Sequence, residues 1–179
     1  MPELVLLTHA TEFDRPTNTG RLVQAAADVL APDANDWQVR TVLWQRKAPD
    51  AIFLQRLTDA GPQPYVLLYP SPQACLIDVD CPSAPRGNEM PAGFILLDAT
   101  WQQAQKMYNQ SPYLHPLPKW QLQSGQPSQY LLRRNQRQQG WCTAELVSML
   151  WRHLGASAAA EQLAQDFQAF NRRQIHSAF

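Results

Sequence analysis

Cysteine is scarce in this chain: three residues, at positions 75, 81 and 142 of 179. The count is odd and no Cys-x-x-Cys pair occurs, so neither a disulfide framework nor a four-cysteine zinc site is expected. Buried or incidental thiols in a reducing compartment are the expectation instead. Long hydrophobic runs are also missing, and nothing approaches the ~20 apolar residues that span a bilayer. The opening Met-Pro-Glu-Leu-Val-Leu-Leu-Thr-His has no basic segment before its apolar run and turns polar too early for a signal peptide, which points to a cytoplasmic protein. Net charge is zero, from 15 Lys/Arg against 15 Asp/Glu. The glycine-rich phosphate loops Gly-x-x-x-x-Gly-Lys-[Ser/Thr] and Gly-x-Gly-x-x-Gly do not occur, nor does the Gly-x-Ser-x-Gly nucleophile elbow. The histidines at 9, 115, 153 and 176 show no metal-ligand spacing, and no metal is expected.

What is present suits one ordinary globular domain over 1–179. Apolar residues make up 45% of the chain, enough for a core without staples. The zero net charge hides an asymmetry. Residues 1–85 carry 6 Lys/Arg and 10 Asp/Glu, a charge of −4, and residues 86–179 carry 9 and 5, a charge of +4. A basic second half suits phosphate contacts, and ordinary solvated surface explains the same numbers.

Hydrophobic periodicity gives an alternation of strands and helices. Leu4 to Thr8, Val39 to Trp44, Tyr65 to Tyr69 and Phe94 to Leu97 read as strands, the last being the clearest, with a shorter one around Trp120 to Leu122. His9 to Asn18 is a polar loop containing Pro16. Helical spacing follows over Leu22, Val23, Ala25, Ala26, Val29 and Leu30, ended by Pro32. Ala51 to Leu57 reads as a helix with Pro49 suited to its first turn. Thr100 to Tyr108, Thr143 to Leu154 and Ala158 to Phe170 are further helices, and Pro82 to Pro91 is a surface loop. This order predicts an α/β fold, a mainly parallel sheet with helices on both faces.

Parallel sheets bind ligands beyond the carboxyl ends of their strands. Three strand ends carry polar clusters: His9 to Arg21, Tyr69-Pro70-Ser71, and Asp98-Ala99-Thr100-Trp101. Asp98 precedes a helix, so it reads either as an N-cap or as a carboxylate able to accept a proton. Trp101 reads as core or as a platform on which a base stacks. Arg15, Asn18, Thr19 and Arg21 crowd one helix start, an arrangement that favours anions, although a capped helix with solvated arginines fits as well. Ser128, Tyr130, Arg133, Arg134 and Arg137 set an aromatic beside basic residues, which suits RNA or a plain surface segment.

Taken together these clusters resemble the DTW-domain family, named for its Asp-x-Thr-Trp signature, here Asp98-Ala99-Thr100-Trp101. The family's H-P-x-E-x-x-R-x-T-N-T-G-R-L pattern is matched from His9 through Glu12, Arg15, Asn18 and Arg21 to Leu22. Tyr69-Pro70-Ser71, then Ser128-Gln-Tyr130-Leu-Leu-Arg133, then Cys142-Thr143-Ala144-Glu145 match its later elements in the family's order. Ala10, Ala99 and Cys142 replace the family's usual Pro, Gly and small hydroxyl residue, and the cysteine-rich N-terminal segment of many members is expected to be lacking, making this a short form.

The resemblance implies a SPOUT-like fold with a C-terminal knot, rare among proteins. It implies transfer of the 3-amino-3-carboxypropyl group from S-adenosylmethionine to N3 of a uridine, with tRNA the substrate in preference to rRNA. Asp98, Thr100 and Trp101 become the catalytic candidates. Tyr69, Pro70, Ser71, Leu122 and Thr143 become contacts for S-adenosylmethionine. Arg15, Asn18, Arg21, Tyr130, Arg133 and Arg137 become contacts for RNA. Asp98 is assigned to accept or relay the N3 proton. An ordinary carboxylate, with a pKa of about 4, is too acidic for that unaided and needs burial, or donors that steady the uracil oxygens. An RNA methyltransferase, a non-catalytic RNA-binding protein and a nucleotide-binding regulatory domain are the rival readings. The oligomeric state is left open.

Overall fold

The computed structural model describes residues 2–30, 37–80, 90–130 and 140–176. Six strands form one sheet in the order β2-β1-β5-β3-β6-β4. They are β1 Glu3–Thr8, β2 Gln38–Leu43, β3 Tyr65–Leu68, β4 Cys75–Asp78, β5 Gly93–Asp98 and β6 Lys119–Gln123. The pairings of β1 with β2 and β5, and of β3 with β5 and β6, are parallel. Every residue of β1, β3 and β5 is buried, as continuous apolar runs in a parallel sheet require. The helices are α1 Ala10–Phe13, α2 Gly20–Leu30, α3 Ala51–Asp59, α4 Trp101–Asn109, α5 Thr143–His153 and α6 Ser157–His176, with a 3₁₀ turn at Pro112–Leu114.

The predicted α/β class with a parallel sheet is what the chain adopts. Two elements escape periodicity. The four-residue α1 lies inside the predicted polar loop, and β4 is mostly exposed, so neither carries an apolar pattern. Pro49 is not in the first turn of α3: Asp50 is the N-cap, accepting the Phe53 N–H at 2.6 Å. Most of the predicted Pro82–Pro91 loop lies outside the described residues. Residues 131–139, between β6 and α5, also lie outside them, and the expected C-terminal knot is not shown by the described residues.

The described residues fall into two compact units. The first comprises 2–18, 37–76 and 90–121, and the second 19–30, 77–80, 122–130 and 140–176. In the first, alternate residues of the strands (Val5 and Leu7, Leu67, Ile95 and Leu97) meet Phe53 of α3 and Ala104 and Met107 of α4 in one core. Gly93 opens β5 because nothing larger fits: a Cβ there would lie 2.6 Å from both the Glu3 carbonyl oxygen and the Tyr65 ring. In the second unit α2, α5 and α6 pack together around Val23, Ala26, Val147, Leu150, Trp151, Ala160 and Leu163. No helix among the described residues is long and apolar enough to cross a membrane.

Candidate active site

The carboxyl ends of β1, β5 and β3, each followed by one of the polar clusters, are neighbours in the sheet. Thr8 and Asp98 are register partners at the ends of β1 and β5. Asp98 is 4% exposed. Its Oδ2 accepts hydrogen bonds from Asn18 Nδ2 at 2.9 Å and Thr8 Oγ1 at 3.2 Å. The Asn18 amide also donates to the Glu12 carbonyl at 2.8 Å, and the His9 backbone N–H to the Asp98 carbonyl at 3.2 Å. A buried carboxylate demands such donors.

Asp98 is not the cap of α4. Thr100 takes that place and forms a capping box with Gln103, the S/T-x-x-E/Q device that the sequence spells out. This separates the two readings of Asp98 and leaves the carboxylate to the strand end. Asn18, expected as an RNA contact, is buried, and its amide donates to Asp98 and to the Glu12 carbonyl. Arg15 donates to Glu12 at 2.7 Å with half of its side chain exposed. Arg21, on the first turn of α2, is exposed.

Beside Asp98, α4 carries Trp101 and Tyr108 seven residues apart, hence on one helix face about 10.5 Å apart along the axis. The Tyr69 ring is wedged between them, stacked on Trp101 at 5.8 Å and on Tyr108 at 4.6 Å. Tyr69 is thus held in an aromatic stack with both residues of α4, half-buried. Burial, and then the neighbouring Tyr108, raises the pKa of the Tyr69 hydroxyl. Trp101 is half-buried, neither pure core nor a bare surface ring. Pro70 is exposed. Ser71 is half-buried, and its hydroxyl caps the following turn by accepting the Gln73 N–H at 3.2 Å.

In the second unit the later motifs gather around Glu145, which closes the Cys142-Thr143-Ala144-Glu145 element and has no separate role in the sequence analysis. Glu145, at the third position of α5, accepts from Ser128 Oγ at 2.8 Å, Gln129 N–H at 2.6 Å and Cys142 N–H at 2.8 Å. It ties the Ser128–Tyr130 segment to the start of α5, and its spacing from Cys142 is the available signal. Asn171 of α6 holds the same segment through the Gln129 carbonyl at 3.0 Å. Thr143 and Leu122 are both buried, 7% and 5% exposed. Tyr130, expected as an RNA contact, has its ring buried and 6.0 Å from that of Phe167. Arg133 and Arg137 lie outside the described residues.

No cluster of His, Cys, Asp and Glu able to hold a metal ion occurs among the described residues. In comparison with known families, the profile of the DTW domain matches residues 2–175. No solved structure matches the chain.

Proposed function

Because the chain belongs to the DTW-domain family, the domain of the tRNA-uridine aminocarboxypropyltransferases, we propose that it transfers the 3-amino-3-carboxypropyl group of S-adenosylmethionine to N3 of a uridine in tRNA, releasing 5′-methylthioadenosine. The observation that carries the reading is the buried Asp98 carboxylate at the mouth of a parallel sheet, gripped by Thr8 and Asn18 and followed three residues later by Trp101, which stacks on Tyr69. Carboxylate and aromatic faces suit both partners of such a reaction: a flat base to stack and a cationic sulfonium to attract.

The sulfonium makes the carbon attached to it electrophilic. N3 attacks that carbon, the carbon–sulfur bond breaks, its electron pair stays on sulfur, and the N3 proton leaves to a base. Asp98 accepts or relays this proton. Trp101 orients the base by stacking, and Thr100 fixes the helix start that presents both. Selection of this carbon over the methyl group is geometric and depends on which arm faces the nucleophile. Tyr69, Pro70, Ser71, Leu122 and Thr143 are assigned to S-adenosylmethionine by family resemblance alone. Arg15, Arg21, Arg133 and Arg137 are assigned to the RNA.

Asp98→Ala tests the reading of the site. The expected outcome is loss of at least about 100-fold in kcat, in the range for a general base, with binding of S-adenosylmethionine preserved. Full activity would remove Asp98 from the chemistry.

A further inference from the structure

Hydrogen-bond directionality in the first unit settles the state of a residue not yet given a role. The Thr100 backbone N–H, which can only donate, lies 2.9 Å from Gln103 Oε1, and the Thr100 hydroxyl lies 2.8 Å from the same oxygen. The amide is thereby oriented, and Gln103 Nε2 donates to Thr11 Oγ1 at 2.7 Å. Having accepted that bond, the Thr11 hydroxyl directs its own proton to His9 Nδ1 at 2.9 Å. The Thr11 backbone N–H points at the same nitrogen from 3.3 Å. With its lone pair taken by two donors, Nδ1 carries no hydrogen in the neutral ring, and Nε2 does.

The ring is held in place as well as in tautomer. It stacks on Trp44 at 5.7 Å with an interplanar angle of 22°, and Trp44 is itself anchored by its indole N–H to Ser111 Oγ at 2.9 Å. His9 is half-exposed, and Nε2 meets no hydrogen-bond partner among the described residues. A relay of three side chains thus leaves one fixed N–H donor just past the end of β1, next to the end of β5 that carries Asp98, whose carbonyl accepts the His9 backbone N–H.

We infer that His9 is a catalytic residue of the proposed reaction. Its Nε2–H donates to a carbonyl oxygen of uracil that gains negative charge as N3 loses its proton. Thr100, Gln103 and Thr11 are positioning residues that hold the tautomer. The inference rests on the uridine-transfer reading. It addresses that reading's chief chemical difficulty, the weak acidity of N3–H, by a donor preorganised for the developing charge.

Two measurements on the full chain test it. Nitrogen-15 NMR of the wild-type imidazoles should show His9 as the Nε2–H tautomer, with its Nε2 resonance moving when unmodified tRNA is added. An Nδ1–H tautomer or an unmoved resonance would overturn the inference, whether or not the protein transfers anything. In the transfer assay, His9→Phe keeps a ring on Trp44 and loses the donor, while His9→Gln restores an N–H. His9→Phe should lower kcat by about 100-fold, as loss of one such donor does, with KM for tRNA little changed, and His9→Gln should recover at least about tenfold of that loss. An unchanged kcat, a defect confined to KM, or a glutamine variant no better than phenylalanine would overturn the inference while leaving the transfer reading intact. Absence of transfer by the wild type would instead remove the transfer reading, with the NMR result still deciding the contact.

Discussion

Asn18 Nδ2 donates to Asp98 Oδ2 across 2.9 Å, joining residues 80 positions apart. Both are buried, and Thr8 donates to the same oxygen. Removing a donor from a buried carboxylate costs its desolvation as well as the bond. Asn18→Ala should therefore destabilise the protein by about 1–3 kcal/mol, and Thr8→Val by about 1 kcal/mol. Because both act on one oxygen, the double variant should depart from additivity by at least about 0.5 kcal/mol. Urea unfolding of the wild type, the two single variants and the double variant checks this. Independent, additive effects would mean that the two donors do not share the carboxylate.

At the opposite end of β1, Glu3 accepts the Tyr65 hydroxyl and lies 3.4 Å from Arg56 and 3.6 Å from Arg40. Burial first, and then the Glu3 carboxylate, push the Tyr65 hydroxyl up to about 12. The unfolded phenol titrates near 10, so between these values the unfolded state holds fewer protons than the folded one. The stability contributed by the protonated Tyr65 is full below pH ~10 and is lost as pH rises through ~12. Wild-type stability should fall across that window, and Tyr65→Phe should flatten the fall. An identical slope in the variant would contradict the assignment.

Cys142 and Cys75 should differ sharply in reactivity. Burial, followed by the nearby Glu145, pushes the Cys142 thiol up to about 12, whereas Cys75 is exposed. Only thiolates alkylate readily. Iodoacetamide at pH 8 should label Cys75 in the native protein and reach Cys142 only after denaturation, as peptide mass spectrometry would show. Native labelling of Cys142 at a rate comparable to Cys75 would mean that the start of α5 opens readily.

Much of this architecture is legible in the sequence because buried parallel strands and amphipathic helices write their burial into composition. Leu4–Thr8 and Phe94–Leu97 are continuous apolar runs, whereas the order of the strands in the sheet is given by the structure alone. Thr100-x-x-Gln103 spells a helix cap. What stays hidden depends on side-chain direction. Asn18 looks like a loop residue facing an anion, yet it turns inward to Asp98. Tyr130 looks like an RNA platform, yet it packs near Phe167. The Gln103–Thr11 bond spans 92 residues, and no periodicity encodes it. Glu145 is visible as a capping-box partner, but its grip on Ser128 and Gln129 comes from the fold of a distant segment.

The central claim is the reaction itself. Purified protein incubated with S-adenosylmethionine and unmodified tRNA, followed by mass spectrometry of nucleosides and small molecules, tests it most directly. The expected products are 3-(3-amino-3-carboxypropyl)uridine and 5′-methylthioadenosine in equal amounts. A methylated nucleoside with S-adenosylhomocysteine, or turnover without any modified uridine, would contradict it.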